Sequence, residues 1–490
     1  MHRISVPWVG FFFIALALSG APLNAGEAAA TVVSDLDEEA VLDVTLQDSQ
    51  NAERPFNEFI IDGFVNITLH ADLRLYHIRT NKTYHTDDHN NPIGQNAAFT
   101  EITARFGADF SLVDSDWLSG QIRIVGTEVD GRPENWTFPR GDHDWGTQVD
   151  LANVKLQGDL GGMSTSLTVG LQELSYGDGL LIYDGISEKR AIWTTPLRSF
   201  RAVKWTIDPS EACSIDLFAA EVDDSRLSYE AYLGSGLTFE GGGELYGANV
   251  NCPHESLGTF DVGLFYKDED ISANDAFNGG LTPDSDTWAL SVRDSKDLGQ
   301  FNVTGEIVKQ WGRTRVAGNG LPANASREDR DSWGGHLSLR YNFEISDLSP
   351  YLTARYAYFQ GDDNDSSDVE SFDPFYYGFA DWGYWYLGDM TSYSLTNTNE
   401  RAASLEFGFF PTVKTKLRVL LYNFMLDEKT ALVDDRSWSN EVNIVFDYYP
   451  CDYVFLGLMT GAVVPGAAAE DFYGDNETQT EVMAWVGLYF

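Results

Sequence analysis

After its first 25 residues the chain has no run approaching eighteen consecutive apolar residues, which excludes a membrane-spanning helix from the rest of the sequence. Cysteine is scarce, three in 490 residues, and no two are closely spaced. That excludes a disulfide-dense scaffold and a cysteine metal site. Basic residues are few, 32 Lys and Arg against 75 Asp and Glu. The resulting formal net charge of -43 excludes nucleic acid as a partner, because phosphate binding needs clustered cations. A nucleophile motif of the G-x-S-x-G kind is also missing. His143 with Asp142 and Asp144, and His85 and His89 beside Asp87 and Asp88, therefore read as solvated loop charge. No enzymatic activity, cofactor or metal is expected.

Aromatic residues and glycine are plentiful, with 13 Trp, 23 Tyr, 30 Phe and 45 Gly. Mean hydropathy is nevertheless only -0.24, as in a lipid-embedded sheet whose strands are polar on one face. At the start of the chain, Met1-His2-Arg3 precede the apolar run Val9 to Leu18 and the small-residue site Leu23-Asn24-Ala25. This is the order of a secretory signal peptide, expected over residues 1–25. Residues 26–60 are acidic and aperiodic, with Asp35, Asp37, Glu38 and Glu39 in one run. They read as a periplasmic lead-in or a small plug.

From residue 64, within an expected barrel of residues 61–490, the pattern changes. Val65, Ile67, Leu69, Ala71, Leu73 and Leu75 alternate with Asn66, Thr68, His70, Asp72, Arg74 and Tyr76, the two-residue period of a strand with one dry and one wet face. The device recurs at 64–78, 100–113, 117–128, 148–157, 164–172, 199–208, 213–222, 242–251, 257–267, 285–293, 299–311, 332–344, 349–360, 400–410, 415–426, 437–449, 451–461 and 480–490. Short connections such as 113–116 and 208–211 alternate with long ones near 79–99, 129–147, 173–198, 312–331 and 361–399. The expected fold is all-β: a transmembrane antiparallel up-and-down β-barrel of about eighteen strands, with short periplasmic turns and long extracellular loops. Ala484 to Phe490 ends the chain on an aromatic residue, as the closing strands of such barrels do. The expected partners are therefore outer-membrane lipid and the barrel assembly machinery, and the expected location is a bacterial-type outer membrane.

Lipid leaves bare peptide groups without partners at several kcal/mol each, so the sheet must close, and its wet face must be the lumen. Alternation sends Arg74, Arg105, Arg123, Lys155, Lys204, Arg293, Arg340, Arg355 and Arg418 to that face. On the lipid side each would cost about 2–4 kcal/mol near the midplane, and nine of them would exceed the about 5–15 kcal/mol of a whole fold. Two readings of these cations stand open. They pair with acidic neighbours and brace a wide barrel, or some form an electropositive ladder for an anionic chain.

The 361–399 loop joins Asp362, Asp363, Asp365, Asp368 and Glu370 to Tyr376, Tyr377, Trp382 and Trp385. Its aromatics fit a lid that stacks on sugar rings, or a membrane-interface girdle, and its acidic run lacks the spacing of an EF-hand calcium loop. Cys213 opens the strand after one short turn and Cys252 closes the next. In a meander those ends meet, so a disulfide is plausible in an oxidising compartment, with Cys451 left over.

One stretch resembles a known family. Leu167-Thr168-Val169-Gly170-Leu171-Gln172-Glu173-Leu174-Ser175-Tyr176-Gly177-Asp178-Gly179, followed by Arg198 to Lys204, is similar to the core motif of the alginate export family of outer-membrane porins. Ala71 to Leu75, Phe372 to Tyr377 before Gly388-Asp389, and Asn440 to Asn443 through Val464-Pro465-Gly466 extend the likeness in the same order. The family commonly has Arg where this chain has Leu171 and Asp where it has Arg201. The resemblance implies an eighteen-stranded channel that passes an alginate-like polysaccharide or oligosaccharide through an arginine-rich constriction. The alternatives are a general diffusion porin for small solutes, and a plugged barrel that binds partners at the cell surface.

Overall fold

The computed structural model describes residues 57–61, 64–86, 92–113, 115–130, 146–183, 199–210, 212–222, 243–254, 258–269, 285–314, 328–344, 348–363, 366, 368–376, 397–430, 433–474 and 476–489. Within them the two-residue rhythm becomes strand almost throughout. The first strands are β1 (Glu58–Ile61), β2 (Val65–Thr86), β3 (Pro92–Leu112), β4 (Ser115–Asp130), β5 (Gly146–Leu160) and β6 (Met163–Gln172). Next come β7 (Phe200–Ser210), β8 (Cys213–Val222), β9 (Gly243–His254), β10 (Gly258–Glu269), β11 (Ser285–Leu298) and β12 (Phe301–Thr314). The remainder are β13 (Glu328–Asn342), β14 (Tyr351–Phe359), β15 (Glu400–Thr412), β16 (Thr415–Leu426), β17 (Ser437–Cys451), β18 (Val454–Pro465) and β19 (Gln479–Tyr489). Each pairs antiparallel with its neighbours in sequence, and β19 returns to β2. The result is a closed eighteen-stranded barrel, β2 to β19, plus the short β1.

The eighteen stretches read as strands from the sequence each coincide with one of β2 to β19. The stretch 79–99, expected as a long loop, is instead mostly strand, since β2 runs to Thr86 and β3 begins at Pro92. Beyond the membrane both faces of a hairpin are wet, so its sequence no longer alternates and the pattern falls silent although the ladder continues.

Side-chain exposure follows the pleat. Leu75 on β2, Leu337 and Leu339 on β13, and Val482 and Val486 on β19 are exposed, while Arg74, Tyr76, Ser338, Met483 and Trp485 beside them are buried. An apolar surface that recurs on strand after strand far exceeds the few hundred Å² that a water-soluble monomer tolerates. It is the lipid-facing belt, and the buried faces look inward.

Closure at the seam involves the end of the acidic lead-in. β19 covers β2 only from Asp72 to Thr80, so the next part of that edge would present bare peptide groups. β1 supplies the missing partner, pairing Glu58 to Ile61 with Thr68 to Val65. Between the two, Asn57 closes the gap: its carbonyl accepts from the Leu69 N–H at 3.0 Å and its side-chain amide donates to the Leu69 carbonyl at 2.9 Å. Residues expected as aperiodic lead-in thus serve as the last piece of the wall. The expected signal peptide and the rest of the lead-in lie outside the described residues.

At the short-turn end, a disulfide joins Cys213 to Cys252, in line with the cross-strand register that places Ser214 opposite Asn251. Cys451 is free and exposed. At the opposite end the chain makes its one described helix, α1 (Ala467–Tyr473), closed by Gly474 in the left-handed conformation at φ 72°. Ala468, Ala469 and Tyr473 are buried, and Trp438 of β17 meets Phe472 at 5.9 Å and Tyr473 at 6.0 Å between ring centroids.

If Asn57 seals the seam, Asn57→Ala removes one side-chain bond at a sheet edge and lowers folding stability by about 1–2 kcal/mol. Urea unfolding followed by tryptophan fluorescence in detergent checks this, and deletion of 57–61 is expected to cost more than the point change.

Candidate functional site

The nine cations read from the sequence lie on strand faces opposite the apolar belt, and their partners differ. Arg74 reaches Asp72 at 2.7 Å, and Arg105 meets the same carboxylate at 3.7 Å. Arg123 bridges Asp150 and Glu173. Arg293 donates to Asp178 at 2.7 Å, Arg418 to Asp447 at 2.8 Å, and Lys204 stands 3.9 Å from Asp216. Six of the nine are therefore matched to acidic groups.

The other three have no acidic partner among the described residues. Arg340 donates to the Asn342 amide oxygen at 2.9 Å and lies 4.0 Å over the Tyr351 ring. Arg355 donates to the Ser338 hydroxyl at 3.3 Å. Register places Ser338 opposite Arg355 and Arg340 opposite Thr353, so the two guanidinium groups sit one step apart on neighbouring strands. Lys155 lines a recess of about 480 Å³ with Lys204, among Asn153, Ser166, Thr168 and Gln172. Lys416, which the sequence reading omitted, adds a cation 5.6 Å from the Tyr351 ring.

Two loops fold into the barrel and narrow it. The first follows β6. Gly177 and Gly179 adopt φ of 62° and 77°, values that side chains resist, and the turn they make is closed by a bridge between Tyr176 and Ile182. Leu174, Leu180, Leu181 and Ile182 are all but fully buried, and each contributes about 1.5–3 kcal/mol of apolar burial. Tyr176 stacks on Phe218 at 5.2 Å and meets Phe265 at 5.6 Å. The loop therefore carries its own dry core onto the wall formed by β7 to β10.

The second loop follows β14. Phe372 packs 5.2 Å from Phe359 and covers Gly334, where a Cβ would come within 2.6 Å of its ring. Glycine at that wall position is what admits the loop. Asp373 anchors it, accepting from Lys267 at 2.9 Å with Arg330 at 3.9 Å, while Gln310 donates to the Asp373 carbonyl. The two loops then join: Tyr376 N–H donates to the Leu181 carbonyl at 2.8 Å, and Tyr183 N–H to the Tyr376 carbonyl at 3.0 Å.

Tyr376 is buried, edge-on to Phe200 at 6.0 Å, as part of this inward pair rather than of a girdle facing lipid. Tyr377, Trp382 and Trp385 lie outside the described residues. Sequence reading did not identify Asp178, Asp373, Lys267 or Arg330 as site residues. Lys267 and Arg330 stand at the edge of or outside the expected strands, where alternation gives no face, and the two aspartates sit in loops whose partners are distant in the chain.

Residues 255–446 match the family model described as Alginate export. Of the motifs that carried the resemblance, Phe372 to Tyr377 and Asn440 to Asn443 fall inside that stretch, whereas Leu167 to Gly179 and Ala71 to Leu75 precede it. Among solved structures, a BenF-like porin from Pseudomonas fluorescens Pf-5 is 12% identical, covering 86% of this chain and 99% of that one at a TM-score of 0.52. OccAB2 from Acinetobacter baumannii is 10% identical, with coverage of 86% and 98% and a TM-score of 0.52. At such identities the likeness is one of fold. No curated protein matches the chain. The match to this family model and the porin-like fold support an outer-membrane location and a channel for solutes.

Two outcomes follow from the loop anchors. Gly334→Leu displaces Phe372 from the wall and is expected to raise single-channel conductance in planar bilayers; unchanged conductance would show that the second loop does not set the bore. Burial alone would raise the Asp373 carboxyl, but Lys267 and then Arg330 hold it below the usual carboxylate range. A depressed carboxylate stabilises the folded loop above its unfolded value of about 3.9, and that support is lost only as pH falls through the lower folded value. Conductance is therefore expected to stay level from neutral pH down to about pH 4 and to rise or flicker below it, and Asp373→Asn to show the low-pH behaviour at neutral pH.

Proposed function

We propose that this channel passes an anionic polysaccharide or oligosaccharide, alginate-like in carrying carboxylates along a chain of sugars. The observation that carries the reading is the pair Arg340 and Arg355, which lack acidic partners among the described residues and lie on neighbouring strands. A guanidinium presents a planar fork of donors that matches a carboxylate, and two of them in sequence let one sugar acid be handed to the next. Lys155 and Lys204 line a recess that also holds hydroxyl and amide groups and the carboxylates of Asp109, Glu173 and Asp208, a mixed polar lining that suits the hydroxyls of a sugar chain. The match of residues 255–446 to the Alginate export model supports the same solute class. The closing strand Gln479–Tyr489 is the segment offered to the barrel assembly machinery.

Bilayer recordings test the reading. Wild-type protein is expected to prefer anions and to be blocked by soluble polyuronate. Arg340→Gln and Arg355→Gln are each expected to weaken that block about tenfold or more, since a hydrogen bond to a charged group contributes roughly 1.5–3 kcal/mol. A large, unselective conductance indifferent to polyuronate indicates a general diffusion porin, and absence of conductance indicates a plugged barrel; either outcome overturns the proposal.

A further inference from the structure

The first inward loop lands on a row of side chains set by the sheet. Register places Arg293 opposite Glu306 and Glu306 opposite His336, so three adjacent strands present them side by side on the lumen wall. Asp178 descends onto this row. Its Oδ2 lies 2.7 Å from His336 Nε2, and its N–H donates to Glu306 Oε2 at 2.8 Å. One ligand-type atom from each of Asp178, Glu306 and His336 lies within 4.8 Å of the others. Gly177 makes the approach possible, since a Cβ there would come within 2.6 Å of both Glu306 oxygens.

From this geometry we infer that Asp178, Glu306 and His336 form a zinc site that staples the first inward loop to the barrel wall. The donor set decides the metal. One imidazole and two carboxylates suit a borderline cation such as Zn²⁺, which takes three protein ligands and a water. Three donors are too few for Ca²⁺, which takes six to eight oxygens. Both wall ligands come from strands, which hold geometry better than loops do. Arg293 donates to Asp178 Oδ1 at 2.7 Å, so that Oδ2 is the oxygen turned to His336 Nε2, while Ser291 holds Glu306 Oε1 at 2.6 Å and the Asp178 N–H holds Oε2 at 2.8 Å. Such outer hydrogen bonds orient ligands and tune affinity.

The site regulates the same bore that the channel reading concerns, and its test is separable from that reading. Untagged full-length protein in detergent is stripped with chelator and then dialysed against zinc chloride. Elemental analysis is expected to find one zinc per folded chain, and cobalt substitution is expected to give the visible absorption bands of a tetrahedral site. His336→Gln and Asp178→Asn are expected to abolish both signals. Ser291→Ala, a milder change, is expected to weaken zinc binding about 10–100-fold. Gel mobility of unheated samples verifies that each variant remains a folded barrel. No zinc on folded wild-type protein, or equal zinc on folded His336→Gln, overturns the inference. Zinc bound at this site without polyuronate block leaves it standing while the channel reading falls, and block without zinc does the reverse.

Discussion

Hydrocarbon offers no hydrogen bonds to a peptide group, and the rest of this molecule follows from that. Every strand must have two neighbours across the membrane, so the sheet closes, and the one place where its ends fail to overlap needs another partner. Asn57 and β1 provide it against Val65 to Leu69. Once closed, the sheet has a single wet side, and all polar chemistry is confined there. The same exclusion that makes the wall also decides where the charges, and therefore the function, can be.

Confinement brings its own electrostatic problem. A protein with 75 acidic and 32 basic residues packs both kinds into a narrow, partly dry interior, where an unmatched charge is costly. Most of the lumen cations answer it by pairing, as Arg418 does with Asp447 where both are almost fully buried. Removing one member of such a pair costs about 3–5 kcal/mol because the other is left stranded. Paired and carboxylate-free guanidinium groups thus stand on one surface. Arg340 and Arg355 differ from Arg418 by facing amide, hydroxyl and aromatic groups instead of carboxylates.

The wall was largely legible in the sequence and the bore was not. Strands β2 to β19 declared themselves because lipid on one face and water on the other impose alternation. The disulfide was legible for a related reason, since a meander fixes which strand ends are adjacent. β1 is only four residues long, too short to display a period, and α1 lies in a connection where no face is constrained. Asp178 stood inside the very motif that suggested a family, yet its role was invisible. Its partners Arg293, Glu306 and His336 are 115, 128 and 158 residues away in the chain, and only the closed sheet brings them into one row. Gly334 likewise reads as an ordinary strand glycine until Phe372 is seen to rest on it.

Separation of wall from bore has a further consequence for how such a channel acquires specificity. A change on the lipid face is judged by an unforgiving solvent and a change in the ladder breaks closure, but a loop lying inside the barrel answers to neither. Its apolar residues need only the lumen faces of Phe200, Phe218 and Phe265 to rest on, and its aspartates need only a cation within reach. Asp178 and Asp373 use different wall partners, Arg293 and His336 in one case and Lys267 and Arg330 in the other, with His336 and Arg330 both on β13. Both anchors are made by side chains and lie outside the backbone ladder. Backbone hydrogen bonds between Leu181, Tyr183 and Tyr376 make the two loops one object, so a shift at either anchor is felt across the bore. The wall thus answers to lipid, while the lining of the bore answers to a few loop side chains and the wall groups they meet.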